Sequence, residues 1–165
     1  LDRDPLHLRE ILKRANDHKG ASLIEIYQNC NVFNDGAFEL FSDKRTKLEN
    51  TIMLEDGKPL IYGENRDKGI VLDGYKPRKV SLDEVSESDL WIHDSKDRIK
   101  ADMLVRFFDD PNIEGNFPRP FGIFYAESRF TYDEALNDQL NSHIEEEGSG
   151  DLDALLKGNN TWVID

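Results

Sequence analysis

The opening of the chain limits its fold more than any other stretch. It reads as an amphipathic helix, a glycine and a short apolar run, with no earlier segment for that run to pair with. Asp4 is placed to N-cap the helix and Pro5 suits its first position. Leu8, Ile11, Leu12 and Ala15 share one apolar helical face. His18 and Lys19 fall at the negative helix end, and Gly20 can close it. Residues 22–27, Ser22-Leu23-Ile24-Glu25-Ile26-Tyr27, read as a buried strand. Helix, tight glycine and buried strand form the αβ half of a βαβ unit, and a parallel strand requires neighbours. The expectation is a chain that begins in the middle of an α/β domain. A first residue Leu1 in place of Met agrees with a boundary inside a longer protein.

The expected strand runs into a polar loop, Gln28-Asn29-Cys30-Asn31-Val32-Phe33-Asn34-Asp35-Gly36. Open α/β sheets bind their ligands at that end of a strand. Cys30 is the one cysteine of the chain. It cannot form an intrachain disulfide, and alone it cannot build a zinc or iron–sulfur site. Two readings stay open: an inert thiol behaving as a small hydrophobe, or a site residue displayed by the loop.

Charge narrows the function classes. Against 21 Lys and Arg stand 34 Asp and Glu, a formal net charge of −13. Binding to a phosphate backbone depends on cationic side chains, so nucleic acid is not an expected partner. Anionic membrane surfaces should repel the chain, and no apolar run approaches the ~20 residues a spanning helix needs. The expectation is a soluble, cytoplasmic protein. A hydrophobic fraction of 38%, with 10% aromatic residues, argues for a folded core despite the charge.

Beyond residue 36 the texture changes to a mixed α+β pattern. A hairpin is expected over 51–62, turning at Asp56-Gly57, with short strands over 69–72 and 78–81. Ser81 with Glu84, and Thr131 with Glu134, have capping-box spacing. The second box opens an expected helix over 132–145. Another is expected over 99–108 with Ile99, Met103 and Phe107 on one face, and a short one over 151–157. Pro118 and Pro120 exclude a helix over 116–122. A strand-like segment closes the chain over 161–164. His7, His18, His93 and His143 show no ligand spacing, and Asp94, Asp97, Asp102 and Glu145-Glu146-Glu147 read as solvated faces. Gly148-Ser149-Gly150 reads as a connector more than an anion nest. No nucleophile elbow, P-loop or dinucleotide fingerprint is present.

Glu25-Ile26-Tyr27-Gln28-Asn29-Cys30-Asn31-Val32-Phe33-Asn34-Asp35-Gly36, preceded by Leu8-Arg9-Glu10-Ile11 and His18-Lys19-Gly20, resembles the beta subunit of 2-oxoacid:ferredoxin oxidoreductases, nearest to the 2-oxoglutarate type. Pro118-Arg119-Pro120-Phe121-Gly122-Ile123-Phe124 and Gly150-Asp151-Leu152-Asp153-Ala154-Leu155-Leu156-Lys157-Gly158 are similar to that subunit's C-terminal region. The resemblance runs along most of the chain and is weakest over 64–100.

The resemblance implies the C-terminal part of a thiamin-diphosphate-binding α/β fold over 1–36, followed by a C-terminal extension over 37–165. In the full enzyme it implies thiamin diphosphate, Mg2+ and a 4Fe-4S cluster. A 2-oxoacid is decarboxylated, the acyl group passes to coenzyme A and electrons go to ferredoxin, with an alpha subunit completing the site. Cys30 would be the last of the cluster's four thiolates, and Asn31 and Asn34 would line the cofactor side of the loop, unless they serve only as turn residues. The family's other three cysteines and its GDGD-type stretch are absent from this sequence. The chain alone is therefore expected to be inactive and to hold neither cofactor. Its unpaired strand is expected to associate with a second copy. The alternative is a self-standing acidic interaction domain with Cys30 buried.

Overall fold

Residues 52–54 alternate in burial as a strand on a core does: β1 (Thr51–Leu54) buries Ile52 and Leu54 and exposes Met53. Its partner is β5 (Arg119–Gly122), in parallel, with Thr51 opposite Arg119 and Leu54 opposite Gly122. Pro120 lacks an N–H, and a two-stranded sheet leaves β5 an unpaired edge where that is tolerated. The second sheet is an antiparallel meander of β2 (Ile61–Tyr62), β3 (Lys68–Asp73) and β4 (Lys76–Ser81), in that order. β3 and β4 form a hairpin with Asp73 opposite Lys76. Gly74, at φ +62°, supplies the left-handed residue that a two-residue turn needs.

The computed structural model describes residues 1–107, 117–159, 161, 162 and 164. It divides into two units, Leu1–Glu127 and Ser128–Asp165. The core lies in the first, where Ile52, Leu54, Leu60, Tyr62, Ile70, Trp91, Leu104 and Phe107 are buried together. Each aliphatic side chain so buried contributes about 1.5–3 kcal/mol. Val71, Val80 and Leu90 form a smaller cluster on the other side of β3.

α1 (Pro5–Asp17) begins as expected, with Asp4 accepting from the His7 N–H at 3.2 Å. The second Asp4 oxygen accepts from Lys47 Nζ at 2.6 Å, which ties the helix start to α3 (Lys47–Asn50). The Lys47 hydrogen bond is the main cause holding the Asp4 carboxyl below the ordinary carboxylate range. A depressed folded value adds stability above the unfolded value and loses it as pH falls through the folded one. Asp4→Ala should therefore cost about 1–2 kcal/mol in urea denaturation at neutral pH. That difference should shrink in acid; an equal cost at both extremes would contradict the assignment.

The second unit holds α5 (Tyr132–Glu147) and α6 (Leu152–Lys157). The capping box of Thr131 and Glu134 is formed with both of its bonds, and Asp151 caps α6 by accepting from the Ala154 N–H. Neither helix contains a buried residue.

Five expectations are corrected. Residues 22–27 form no strand: Leu23 is 99% exposed and Ile26 42%, and the segment joins neither sheet. The turn at Asp56-Gly57 exists, with Lys58 N–H donating to Glu55 O, but the segments around it do not pair as a hairpin. Gly57 and Leu60 donate instead to His93 O and Trp91 O, while β1 turns to β5. The Ser81–Glu84 spacing makes a turn at the end of β4 and no helix. Finally, α4 spans Arg98–Leu104 and buries Ala101 and Leu104; Ile99 is exposed, and Phe107 packs from beyond the helix. Phe108, Asn116 and Val163 lie outside the described residues, and Thr161, Trp162 and Ile164 carry no strand. Among the described residues no helix is long and apolar enough to cross a membrane.

Candidate functional site

Tyr27 fixes the start of the Cys30 loop. Its ring stacks on Phe38 with centroids 4.4 Å apart and meets Phe121 edge-on at 5.5 Å. Phe41, on α2 (Glu39–Ser42), completes the cluster, 6.2 Å from Tyr27 and 6.3 Å from Phe121. The Tyr27 hydroxyl accepts a 3.0 Å hydrogen bond from Arg119 Nη1. The same guanidinium lies 5.8 Å from the Tyr27 ring centre and 5.1 Å from that of Phe41. Tyr27 thus precedes the loop, Phe38 follows it, and the two rings close its base.

Asn29 organises the interior. Its Nδ2 donates to Asn31 Oδ1 at 2.7 Å and to Asp35 Oδ1 at 2.9 Å, while its Oδ1 accepts from the Gly36 N–H at 2.8 Å. Its own backbone N–H donates to Asp2 Oδ2 at 3.3 Å. Cys30 O accepts from the Asn34 N–H at 2.9 Å, forming a tight turn over 30–34.

The Cys30 thiol is half-exposed on this turn. The N–H groups of Phe33 and Val32 pull the thiol below its ordinary value, with Asn34 adding a smaller effect. Backbone N–H groups converging on one point favour an anion. The arrangement stabilises a thiolate, the form of cysteine that ligates metals. It supplies one thiolate and no complete ligand set: among the described residues no group of three or more His, Cys, Asp and Glu side chains converges. A 4Fe-4S cluster, held by four thiolates, does not fit these residues alone, and neither does a carboxylate-bound Mg2+.

The other expected residues divide. Asn31 joins the Asn29 network through its side chain, whereas Asn34 is exposed and enters through its backbone N–H. Asp97 caps α4 by accepting from Lys100 N–H, and Asp94 accepts from Lys96 N–H. His93 is 1% exposed with Nε2 2.8 Å from Ile123 O, which is a structural placement. Tyr27, Asn29 and Arg119 were not singled out from sequence. The available signal was the Pro-Arg-Pro-Phe-Gly run, whose β-strand alternation puts Arg119 and Phe121 on one face.

Neither a family model nor a solved structure matches the chain. Curated proteins do. The 2-oxoglutarate oxidoreductase subunit KorB of Mycobacterium tuberculosis is 33% identical over 169 aligned positions, which cover all of this chain and 44% of that protein. The 2-oxoacid:ferredoxin oxidoreductase 1 subunit beta of Aeropyrum pernix is 44% identical over 45 residues, 27% of this chain and 14% of that one. The chain is a relative of the 2-oxoacid oxidoreductase beta subunits. It spans less than half the length of these beta-subunit relatives. The loop resemblance and the whole-chain similarity to KorB point to the same family.

Proposed function

We propose that the chain is a C-terminal portion of the beta subunit of a 2-oxoacid:ferredoxin oxidoreductase, of the 2-oxoglutarate type, and that Cys30 provides one thiolate to a 4Fe-4S cluster completed by residues outside it. Residues 1–36 end the thiamin-diphosphate-binding domain and 37–165 form the extension. The observation that carries this reading is the similarity to KorB along the whole chain, with the half-exposed Cys30 thiol set on a turn closed by the Asn34 N–H on Cys30 O. Hydrogen bonds to cluster sulfurs are among the means by which a protein sets a cluster's potential. The complete enzyme, with its alpha subunit, thiamin diphosphate and Mg2+, would decarboxylate a 2-oxoacid oxidatively, pass the acyl group to coenzyme A and reduce ferredoxin. The chain by itself is inactive, because it brings one ligand and no thiamin-diphosphate site.

Cys30→Ser in the complete subunit tests the ligand role. The purified variant should lose the brown visible absorbance and most of its bound iron, while keeping its assembly with the alpha subunit. Full iron content and an unchanged spectrum in that variant would sink the assignment. For the isolated chain, exposed Leu23 and Ile26 favour self-association. Light scattering on the eluted chain should report a dimer, and a monomer at high concentration would refute that.

A further inference from the structure

We propose that Arg119, acting through Tyr27, is a positioning residue for the Cys30 loop: it fixes the loop's base to the parallel sheet and so holds in place the turn over 30–34 that carries the thiol. Its functional consequence rests on the reading of Cys30 as a ligand; its geometry does not.

The loop needs such an anchor because residues 22–27 join no sheet. A ladder on that segment would fix the loop through backbone hydrogen bonds. Here one backbone bond, from the Asp2 N–H to Tyr27 O at 3.1 Å, meets the segment's end, and the closure is otherwise made by side chains, the Tyr27 and Phe38 rings stacked at 4.4 Å. Arg119 is held on β5 opposite Thr51, so it brings the rigidity of a paired strand to that ring pair. It does so twice, with a 3.0 Å bond to the Tyr27 hydroxyl and a guanidinium set beside two rings. A planar guanidinium combines a directional bond with stacking, which a lysine ammonium does not. Phe121, two residues along β5 on the same face, closes on Tyr27 edge-on. From Tyr27 the chain needs two more residues, Gln28 and Asn29, to reach Cys30. Asn29 then ties the far side of the loop back through Gly36. Displacing Tyr27 therefore moves the network that shapes the turn over 30–34.

Cys30 is the single cysteine, so alkylation of the 165-residue chain reports on it alone. The experiment is the pH–rate profile of iodoacetamide alkylation for the parent, Arg119→Met, Arg119→Lys, Tyr27→Phe and Val80→Ala. Val80→Ala perturbs the packing of the small second cluster, away from the loop. Arg119→Met should shift the profile upward in pH and slow alkylation at neutral pH by about threefold or more, since the thiolate is the reacting form. Tyr27→Phe, which keeps the ring, should shift it in the same direction by less, and Arg119→Lys should recover part of the loss. Val80→Ala should leave the profile in place. Parent-like profiles for both Arg119→Met and Tyr27→Phe would overturn the proposal, and so would an equal shift in Val80→Ala. In the complete subunit, Arg119→Met should retain the cluster with a changed reduction potential; an unchanged potential would overturn the consequence. Loss of the ligand reading, seen in Cys30→Ser, would leave the alkylation result intact, so the two failures are distinguishable.

Discussion

Gly122→Val is expected to unfold the first unit or to cost it about 3–5 kcal/mol, the range of substitutions that force backbone apart. Gly122 ends β5 at φ +139°, a conformation that L side chains rarely adopt. A Cβ there would lie 2.6 Å from Leu54 O and 2.8 Å from Leu54 Cβ. The obstacle is the paired strand itself, not the flexible end of a side chain. Leu54 cannot retreat without opening the β1–β5 register, and it is buried in the main core. Gly122→Ala separates the two causes, since it adds only the Cβ. It should already cost much of the total, and valine more. Urea denaturation followed by far-UV circular dichroism measures both. A Gly122→Val midpoint within the range of ordinary surface changes, about 0.5 kcal/mol, would show that β1 and β5 do not pair as described. The same variant should disturb Cys30 alkylation, because Arg119 and Phe121 stand on the strand it displaces.

Local chemistry in the chain was legible. The Asp4-Pro5 helix start, the Thr131–Glu134 box, the short helix after Asp151 and the short strands over 69–72 and 78–81 all formed, and each depends on residues a few positions apart. Long-range pairing was not. Residues 51–62 looked like a hairpin because a turn at Asp56-Gly57 separates two apolar runs, and that turn formed. Which strand β1 prefers is decided by burial of Ile52 and Leu54 with Leu104 and Phe107, a non-local matter that turn chemistry does not report. The expected strand at 22–27 failed for a related reason. Its apolar pattern states what the segment would bury, but a strand also needs a ladder partner, and 22–27 pair with neither sheet. At the site, Cys30 stood out by residue type and by its polar loop. The turn that carries it is closed by backbone groups, invisible in sequence, and Arg119, which bonds Tyr27 at the loop's base, lies far along the chain.

Phe107→Ala is the second large effect, expected to cost about 3–5 kcal/mol. Phe107 is 1% exposed, stacked on Phe117 at 4.5 Å and edge-on to Trp91 at 6.0 Å. Trp91 is itself a bridge: its backbone N–H donates to Ile70 O at 2.7 Å, and its carbonyl accepts from the Leu60 N–H at 2.9 Å. Truncating Phe107 thus opens a cavity between the antiparallel meander and the approach to β5, with rigid aromatic walls that close poorly around it. Phe107→Leu, which fills most of the space, should cost less than half as much. A near-UV signal from Trp91 that weakens before the far-UV signal would locate the damage at this contact. An Ala variant losing less than about 1 kcal/mol would place Phe107 outside the core. The comparison with Arg119→Met then separates stability from positioning. Phe107→Ala lowers the midpoint of unfolding but, below that midpoint, leaves the Tyr27–Arg119 bond and the Cys30 profile unchanged. Arg119→Met does the reverse, because its ring contacts belong to the loop and not to the buried cluster.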